Sequence, residues 1–274
     1  MKKKTIRRIL ITLFAVIFLG SAGYAAKVVL DYRNDSRLYD AAREEFIISS
    51  APSDVTTDLD KKSPVTASQE EEGKTDKEEK PEFSGISVDF NALKAINSDI
   101  LGWIWIPDTD ISYPLLQGKS NQSYLATSYT GVHAGAGSIF MDFRNAPDFS
   151  DSNTIIYGHN MNDGTMFGTL KKYRKAEYWR THPYFYIVKP DGQSKYEICF
   201  VTVTDSLSDV YNRSFTGKEA YEAHIAMLDK ASLYDTGVCV GAEEHIVTLS
   251  TCTGGEKTER FVVIGKLVAD TADK

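Results

Sequence analysis

The last two apolar runs of this 274-residue chain carry a cysteine and an arginine whose chemistry could be combined. Residues 245–252 alternate as a half-buried strand does, are rich in β-branched residues and end on Cys252. A polar loop with two glycines stops this strand, and a second strand, 260–268, opens on Arg260. Because the thiolate is the nucleophilic form of cysteine and a nearby cation favours it, this pair is suited to covalent catalysis.

Each residue also has an ordinary structural explanation. A lone cysteine is most often a small buried hydrophobe, and a strand-end arginine is by default a surface charge. The two other cysteines, Cys199 and Cys239, lie in apolar runs, and we predict that both are buried. A disulfide between them is conceivable, but an odd number of cysteines leaves at least one free thiol.

A nucleophilic cysteine usually exchanges protons with a histidine, and the chain has five. His159 follows the short strand predicted at 153–157, where Gly158 lets the backbone turn and the imidazole project from a strand end. His133, in a glycine-rich loop, stays open as an alternative. The other three are interpreted as structural, solvated or too distant from the thiol: His182, His224 and His245.

The overall composition excludes some functions. A formal charge of -7 and a pI near 5.3 argue against a nucleic-acid-binding protein, because such proteins normally carry a basic patch. The sequence contains no glycine-rich phosphate loop. It also has no Cys-x-x-Cys spacing of the kind that binds zinc, so a metal site is not predicted.

The N-terminus has the pattern of a membrane anchor. Five cations within residues 1–8 precede an uncharged apolar span, 9–26, which continues beyond Lys27. This length predicts residues 1–30 as a cytoplasmic basic tail and a transmembrane helix, with the N-terminus in the cytoplasm. Small residues at 23–25 leave a cleaved signal peptide as the alternative.

The residues after the anchor divide into a linker region and a catalytic domain. Residues 31–82 are predicted as a juxtamembrane helix, acting only as a solvated spacer, followed by a flexible polar linker. Residues 83–274 form the predicted domain, with Asp89 as the N-cap of its first helix. Further helices are expected at 165–180 and 218–234.

The domain is predicted to be mainly β with peripheral helices. Eight short strands are expected, at 103–106, 111–113, 138–141, 153–157, 184–188, 195–204, 245–252 and 260–268. This number is typical of a closed or nearly closed barrel.

Together the motifs resemble the sortases, membrane-anchored cysteine transpeptidases of Gram-positive bacteria, and are most similar to class B. The chain reads TLSTC at 248–252, NTIIYGHNM at 153–161 and arginine at position 260. Further similarity lies in DILGWIWIP at 99–107, YPLLQG at 113–118 and GSIFMD at 137–142. The resemblance covers about residues 88–268, and the helix before the cysteine strand is similar to the one that marks class B.

The resemblance implies an eight-stranded sortase-type barrel and an enzyme of the cysteine-peptidase class without a metal or organic cofactor. Cys252 would attack the C-terminal sorting motif of a secreted protein, and an amine of a lipid-linked peptidoglycan precursor would resolve the thioacyl enzyme. His159 would move the protons, and Arg260 would hold the substrate and the oxyanion. The enzyme would be a single-pass protein of the cell membrane with its catalytic domain outside.

Substrate contacts are expected beside the nucleophile and the histidine. Ser250 and Thr251 precede Cys252, and Asn160 and Tyr157 neighbour His159. Packing explains the tyrosine equally well. The segment before residue 239 is expected to wall the groove.

Three other functions stay open for the chain. The first is a class B-like pilin polymerase that uses a pilin lysine as the acceptor. The others are a hydrolytic cysteine protease and a membrane-tethered binding module.

Overall fold

The computed structural model describes residues 2–49 and 86–271. The linker predicted at 51–82 therefore lies outside the described residues. Its flanks are described, and they pair: β1 (Ile47–Ser49) runs antiparallel to β2 (Ile86–Val88). The residues on either side of this linker thus lie next to each other in the fold.

Eight strands in the described part of the chain close into a barrel, as the sequence predicts, in the order β10-β8-β7-β3-β4-β5-β6-β9. They are β3 (Ile100–Trp105), β4 (Ser112–Leu116), β5 (Ile139–Met141), β6 (Asn153–Tyr157), β7 (Tyr184–Lys189), β8 (Gly192–Asp205), β9 (Ile246–Cys252) and β10 (Glu259–Asp270). Large side chains such as Trp103, Phe185 and Phe261 are fully buried in the core.

Two strand pairs are parallel, β4 with β5 and β6 with β9. Parallel neighbours bring their carboxyl ends to the same rim of a barrel. The residues that follow β6 and β9 therefore emerge side by side, and this is the feature of the fold that assembles the site.

The helices lie outside the barrel: α1 (Lys2–Phe46), α2 (Phe90–Ile96), α3 (Ala176–Thr181) and α4 (Lys218–Ala231). Asp89 caps α2 as predicted, since its carboxylate accepts from the Ala92 N–H at 2.9 Å. The helix predicted at 165–180 is divided into a 3-10 turn (Gly168–Arg174) and α3, because Lys175 between them is extended.

Helix α4 ends at Ala231, three residues before the predicted end at Tyr234. The reason is tertiary. The chain turns at Ser232 to pair with β8, where the Leu233 N–H donates to the Val201 carbonyl at 2.7 Å.

Helix α1 is the one helix of the described residues that is long and apolar enough to cross a membrane. Its N-terminal part is exposed, but Tyr39, Ala42 and Phe46 in its last turns are buried against the barrel. The prediction that this region is only a solvated spacer is therefore wrong. Its apolar residues at positions i, i+3 and i+7 form one face that joins the core.

The three cysteines all lie in the described part of the chain, and each is a free thiol. Cys199 is buried as predicted, whereas the predicted burial of Cys239 is wrong, because this side chain is exposed. The segment after α4 runs along the outer surface with Val238 and Val240 packed inward, which turns the intervening cysteine outward.

Candidate active site

Cys252 and Arg260 face each other across the antiparallel β9–β10 pair. Their Cα atoms are register partners at the end of β9, where the thiol is exposed. Directly opposite residues in such a pair share one face of the sheet, with Cβ atoms about 4.5–5.5 Å apart. The strand pairing alone therefore places Arg260 beside Cys252 on one face of the sheet.

The end of β6 is joined to the end of β9 by two hydrogen bonds. The Gly158 N–H donates to the Ser250 carbonyl at 3.2 Å, and the Thr251 hydroxyl donates to the Gly158 carbonyl at 2.8 Å. The residue before His159 is thus bonded to the residue before Cys252. A larger residue would collide with the core here, because a Cβ at position 158 would lie 2.7 Å from the buried ring of Phe167 and 2.4 Å from the buried end of Ile139.

His159 is partly exposed and is held at two points. Its Nε2 lies 2.7 Å from the carbonyl oxygen of Leu125, and its own carbonyl accepts from the Phe167 N–H at 2.9 Å. Since a carbonyl can only accept, the contact assigns the proton to Nε2. In the neutral ring Nδ1 is then the nitrogen that can take up a proton.

Arg260 is anchored through one nitrogen. Nη1 donates to the carbonyls of Lys257 and Glu259 at 2.8 and 3.0 Å, which also holds the loop after Cys252. All of its hydrogen bonds to described residues use this atom, so the N–H groups of Nε and Nη2 remain for a ligand.

Cys252, His159 and Arg260 line one pocket of about 270 Å³. Three predicted substrate-binding residues, Ser250, Thr251 and Tyr157, line the same pocket. Asn160 does not, although its amide lies close to Gly254 in the loop after the cysteine. Its Oδ1 is buried without a hydrogen-bond partner in the described part of the chain.

The hydroxyls of Ser250 and Thr251 are engaged within the protein. Both residues are 2% exposed; the Ser250 hydroxyl lies 2.8 Å from that of Tyr211, and Thr251 binds Gly158. These two residues therefore shape the pocket and do not present free hydroxyls to it.

Tyr157 donates to the fully buried carboxylate of Asp142 at 3.0 Å. Burial alone would raise the pKa of Asp142, but hydrogen bonds from Arg144 and Asn121 outweigh it and hold this pKa far below its usual range. The tyrosine ring also packs between aromatic neighbours. The packing explanation for Tyr157 thus has direct support.

Sequence reasoning missed several residues of the pocket: Asn121, Gln122, Leu125, Phe140, Ser206 and Tyr211. Only Phe140 lies in a predicted strand. Tyr211 lies in a 3-10 turn (Asp209–Tyr211) far in sequence from either motif. Burial raises its pKa, opposed by its hydrogen bond with Ser250 and by the nearby Arg260 charge. No local pattern could have identified it.

The segment before residue 239 does not line this pocket. It borders a separate cavity of about 440 Å³ beside α4, so the prediction that it walls the groove is wrong. His133, the alternative partner for the thiol, is exposed and does not line the pocket. His182, His224 and His245 do not line it either. Within residues 2–49 and 86–271, no three His, Cys, Asp or Glu side chains are grouped to hold a metal ion.

Comparisons with known proteins point to one family. The family model of the sortase domain matches residues 104–268. Sortase B of Listeria monocytogenes is 41% identical over 180 residues, which cover 64% of this chain and 72% of that protein.

Solved structures give the same result. The crystal structure of Staphylococcus aureus sortase B superimposes with a TM-score of 0.62 at 34% identity, over 65% of this chain and 86% of that one. A Staphylococcus aureus sortase B–substrate complex matches with the same score and identity, over 65% of this chain and 84% of that one.

Proposed function

Since the chain belongs to the sortase family, we propose that it is a class B-like cysteine transpeptidase that joins secreted proteins to the cell wall. The observation that carries the proposal is the pairing of Cys252 with Arg260 at the rim where His159 enters the same pocket. A nucleophile, a proton carrier and a cation with unused donors are the groups that acyl transfer requires.

In the first half of the reaction Cys252 transfers its thiol proton to Nδ1 of His159, and the resulting thiolate attacks the carbonyl carbon of a peptide bond in the sorting motif. The oxyanion that forms is stabilised by the free N–H donors of Arg260. As the tetrahedral intermediate collapses, the C–N bond breaks, and the leaving amine takes a proton from His159. The products are a thioacyl enzyme and the released C-terminal peptide.

In the second half an amine of a lipid-linked peptidoglycan precursor attacks the thioester carbon. His159 accepts the proton of this amine, an amide forms and Cys252 leaves as the thiolate. The secreted protein is then joined covalently to the wall precursor. Water in place of the amine would give hydrolysis.

We propose that the enzyme is a single-pass protein of the cell membrane with a cytoplasmic N-terminus and an extracellular catalytic domain. The exposed apolar part of α1 and the cations before it support this orientation. Tyr39 lies nine residues beyond Leu30, which is about 13 Å along a helix axis. The barrel would therefore sit close to the membrane surface.

The proposal is tested with the full-length chain in detergent micelles, incubated with a panel of sorting-motif peptides and an amine acceptor. Mass spectrometry should detect a thioester on Cys252 and an amine-dependent product. Cys252→Ala and His159→Ala should abolish product. Cys239→Ala, which removes an exposed thiol outside the pocket, is the matched control and should retain activity.

Cleavage by Cys252→Ala at the parent rate would refute the mechanism. The acceptor decides between the alternatives. Product formed with wall-peptide amines supports wall anchoring, product formed only with a pilin lysine indicates a pilin polymerase, and release by water alone indicates a hydrolase.

A further inference from the structure

We propose that the end of the anchor helix positions the histidine of the reaction. Asp35 and Tyr39 of α1, here called the α1 clamp, hold the loop 117–138 between β4 and β5, and this loop holds His159. The inference rests on the proposed function, in which His159 carries the protons. It assigns the clamp a positioning role, since neither residue lines the pocket.

The clamp contacts three consecutive residues at the end of this loop. The Asp35 carboxylate accepts from the Ala136 N–H at 2.9 Å. The Tyr39 hydroxyl donates to the Gly137 carbonyl and lies 3.2 Å from the Ser138 hydroxyl. Tyr39 is only 3% exposed, so its hydroxyl is satisfied by this loop rather than by water.

The loop passes this restraint to the imidazole. Gly137 has φ +58°, and a Cβ there would lie 2.5 Å from the carbonyl oxygen of Leu125, so the two backbone segments are in direct contact. The Ser138 N–H also donates to the Tyr124 carbonyl at 3.0 Å. The Leu125 carbonyl that is held in this way is the partner of His159 Nε2 at 2.7 Å.

A second route runs from the ring of Tyr39 to the backbone of His159. The ring meets Tyr113 edge to face, with centroids 5.3 Å apart. The Tyr113 hydroxyl accepts from the Met166 N–H at 2.9 Å, and the neighbouring Phe167 N–H donates to the His159 carbonyl. One residue of the anchor helix is thus connected to both fixed points of the histidine.

Simple docking of α1 would not need these polar contacts, because Ala42 and Phe46 already bury an apolar face. The hydrogen bonds of the clamp act instead on the segment whose backbone abuts Leu125. The clamp therefore selects the Nε2–H tautomer of His159 and leaves Nδ1 to exchange protons.

The test is ¹⁵N NMR of the histidine rings in the full-length chain in micelles, at about pH 8.5, where a free imidazole is neutral. The five histidines give few signals, and His159→Asn identifies the one of interest. The parent should show the Nε2–H tautomer at His159. Tyr39→Phe and Asp35→Ala should raise the share of the Nδ1–H tautomer or broaden the signal by exchange.

Two variants serve as controls. Tyr221→Phe, on α4, removes a buried hydroxyl that donates to the Glu244 carbonyl at 2.6 Å. It should leave the His159 signal unchanged. Asp35→Asn keeps a side-chain oxygen that can accept from the Ala136 N–H, so its His159 signal should match that of the parent. Unchanged signals of His182 and His245 show that each variant is folded.

Kinetics give a second readout once a substrate peptide is found. Tyr39→Phe should lower kcat by roughly three- to tenfold and leave KM within twofold, because the bond lost is outside the pocket. His159 signals in Tyr39→Phe and Asp35→Ala identical to those of the parent would overturn the proposal. The NMR result needs no substrate, so it is independent of whether the proposed transpeptidation is observed.

Discussion

The substitution Thr251→Val tests whether the two strand ends must be bonded for the site to work. It replaces the γ-hydroxyl by a methyl group of similar size and removes the 2.8 Å bond to the Gly158 carbonyl. The hydrogen bond contributes a net of about 1 kcal/mol to stability. The half-buried Gly158 carbonyl that is left without this donor adds a desolvation penalty of up to about 1 kcal/mol. We expect unfolding to become easier by about 1–2 kcal/mol. For a domain of this size the Tm should then fall by roughly 2–8 °C.

The effect on activity follows from what the bond joins. The Gly158 N–H still donates to the Ser250 carbonyl in this variant, so the displacement between Cys252 and His159 is partial. Misplacement by 1 Å can lower a rate by about a hundredfold, and we expect a fall in kcat of about tenfold. The assay is initial-rate kinetics with the peptide that the parent cleaves best, beside thermal unfolding followed by circular dichroism.

Thr251→Ser is the matched control. It keeps the hydroxyl but loses a buried methyl group, which destabilises the fold by about 0.8 kcal/mol. Both variants should therefore melt earlier than the parent, whereas only the valine variant should lose activity. If Thr251→Val keeps a kcat within twofold of Thr251→Ser, the bond does not position the two groups and the reasoning is wrong.

Three further predictions concern other parts of the chain. Burial lowers the pKa of His224 from 6.5 to about 4. The free energy of unfolding should fall by roughly 3 kcal/mol as pH drops through this window, and urea titrations of His224→Phe should lack that part of the fall. Asp142→Asn removes the charge of a buried carboxylate that pairs with the half-exposed Arg144, and it should lower the free energy of unfolding by about 1–3 kcal/mol in the same assay. Leu207, 90% exposed beside Ser206 of the pocket, should contact the substrate; Leu207→Ser should raise KM with Tm within about 2 °C, and an unchanged KM would exclude that contact.

Much of this protein follows from local patterns in its sequence. Strand periodicity and turn residues predict the hairpin that ends on Cys252 and resumes at Arg260, and the structure pairs these two residues. The Asp89 cap and the apolar N-terminal helix were found in the same way. These features depend on residues a few positions apart, whose preferences are readable without the fold.

Local pattern also misled the prediction where the orientation of a segment mattered. Cys239 stands between two valines and was expected to be buried, but the valines face inward and the thiol outward. The last turns of α1 were expected to be a spacer, although they join the core. An apolar side chain in the sequence indicates that burial is favourable and leaves open which surface provides it.

What tertiary structure alone decides is which distant groups meet. The parallel pairing of β6 with β9 brings His159 to the rim of Cys252, and the Thr251 bond that joins them spans 93 positions. Tyr39 and Gly137 are 98 positions apart, and Leu125 and His159 are 34 apart. The residue types that could do chemistry are therefore determined by the sequence itself. Their alignment depends on backbone carbonyls and strand register, which carry no residue-specific signal and exist only once the barrel has closed.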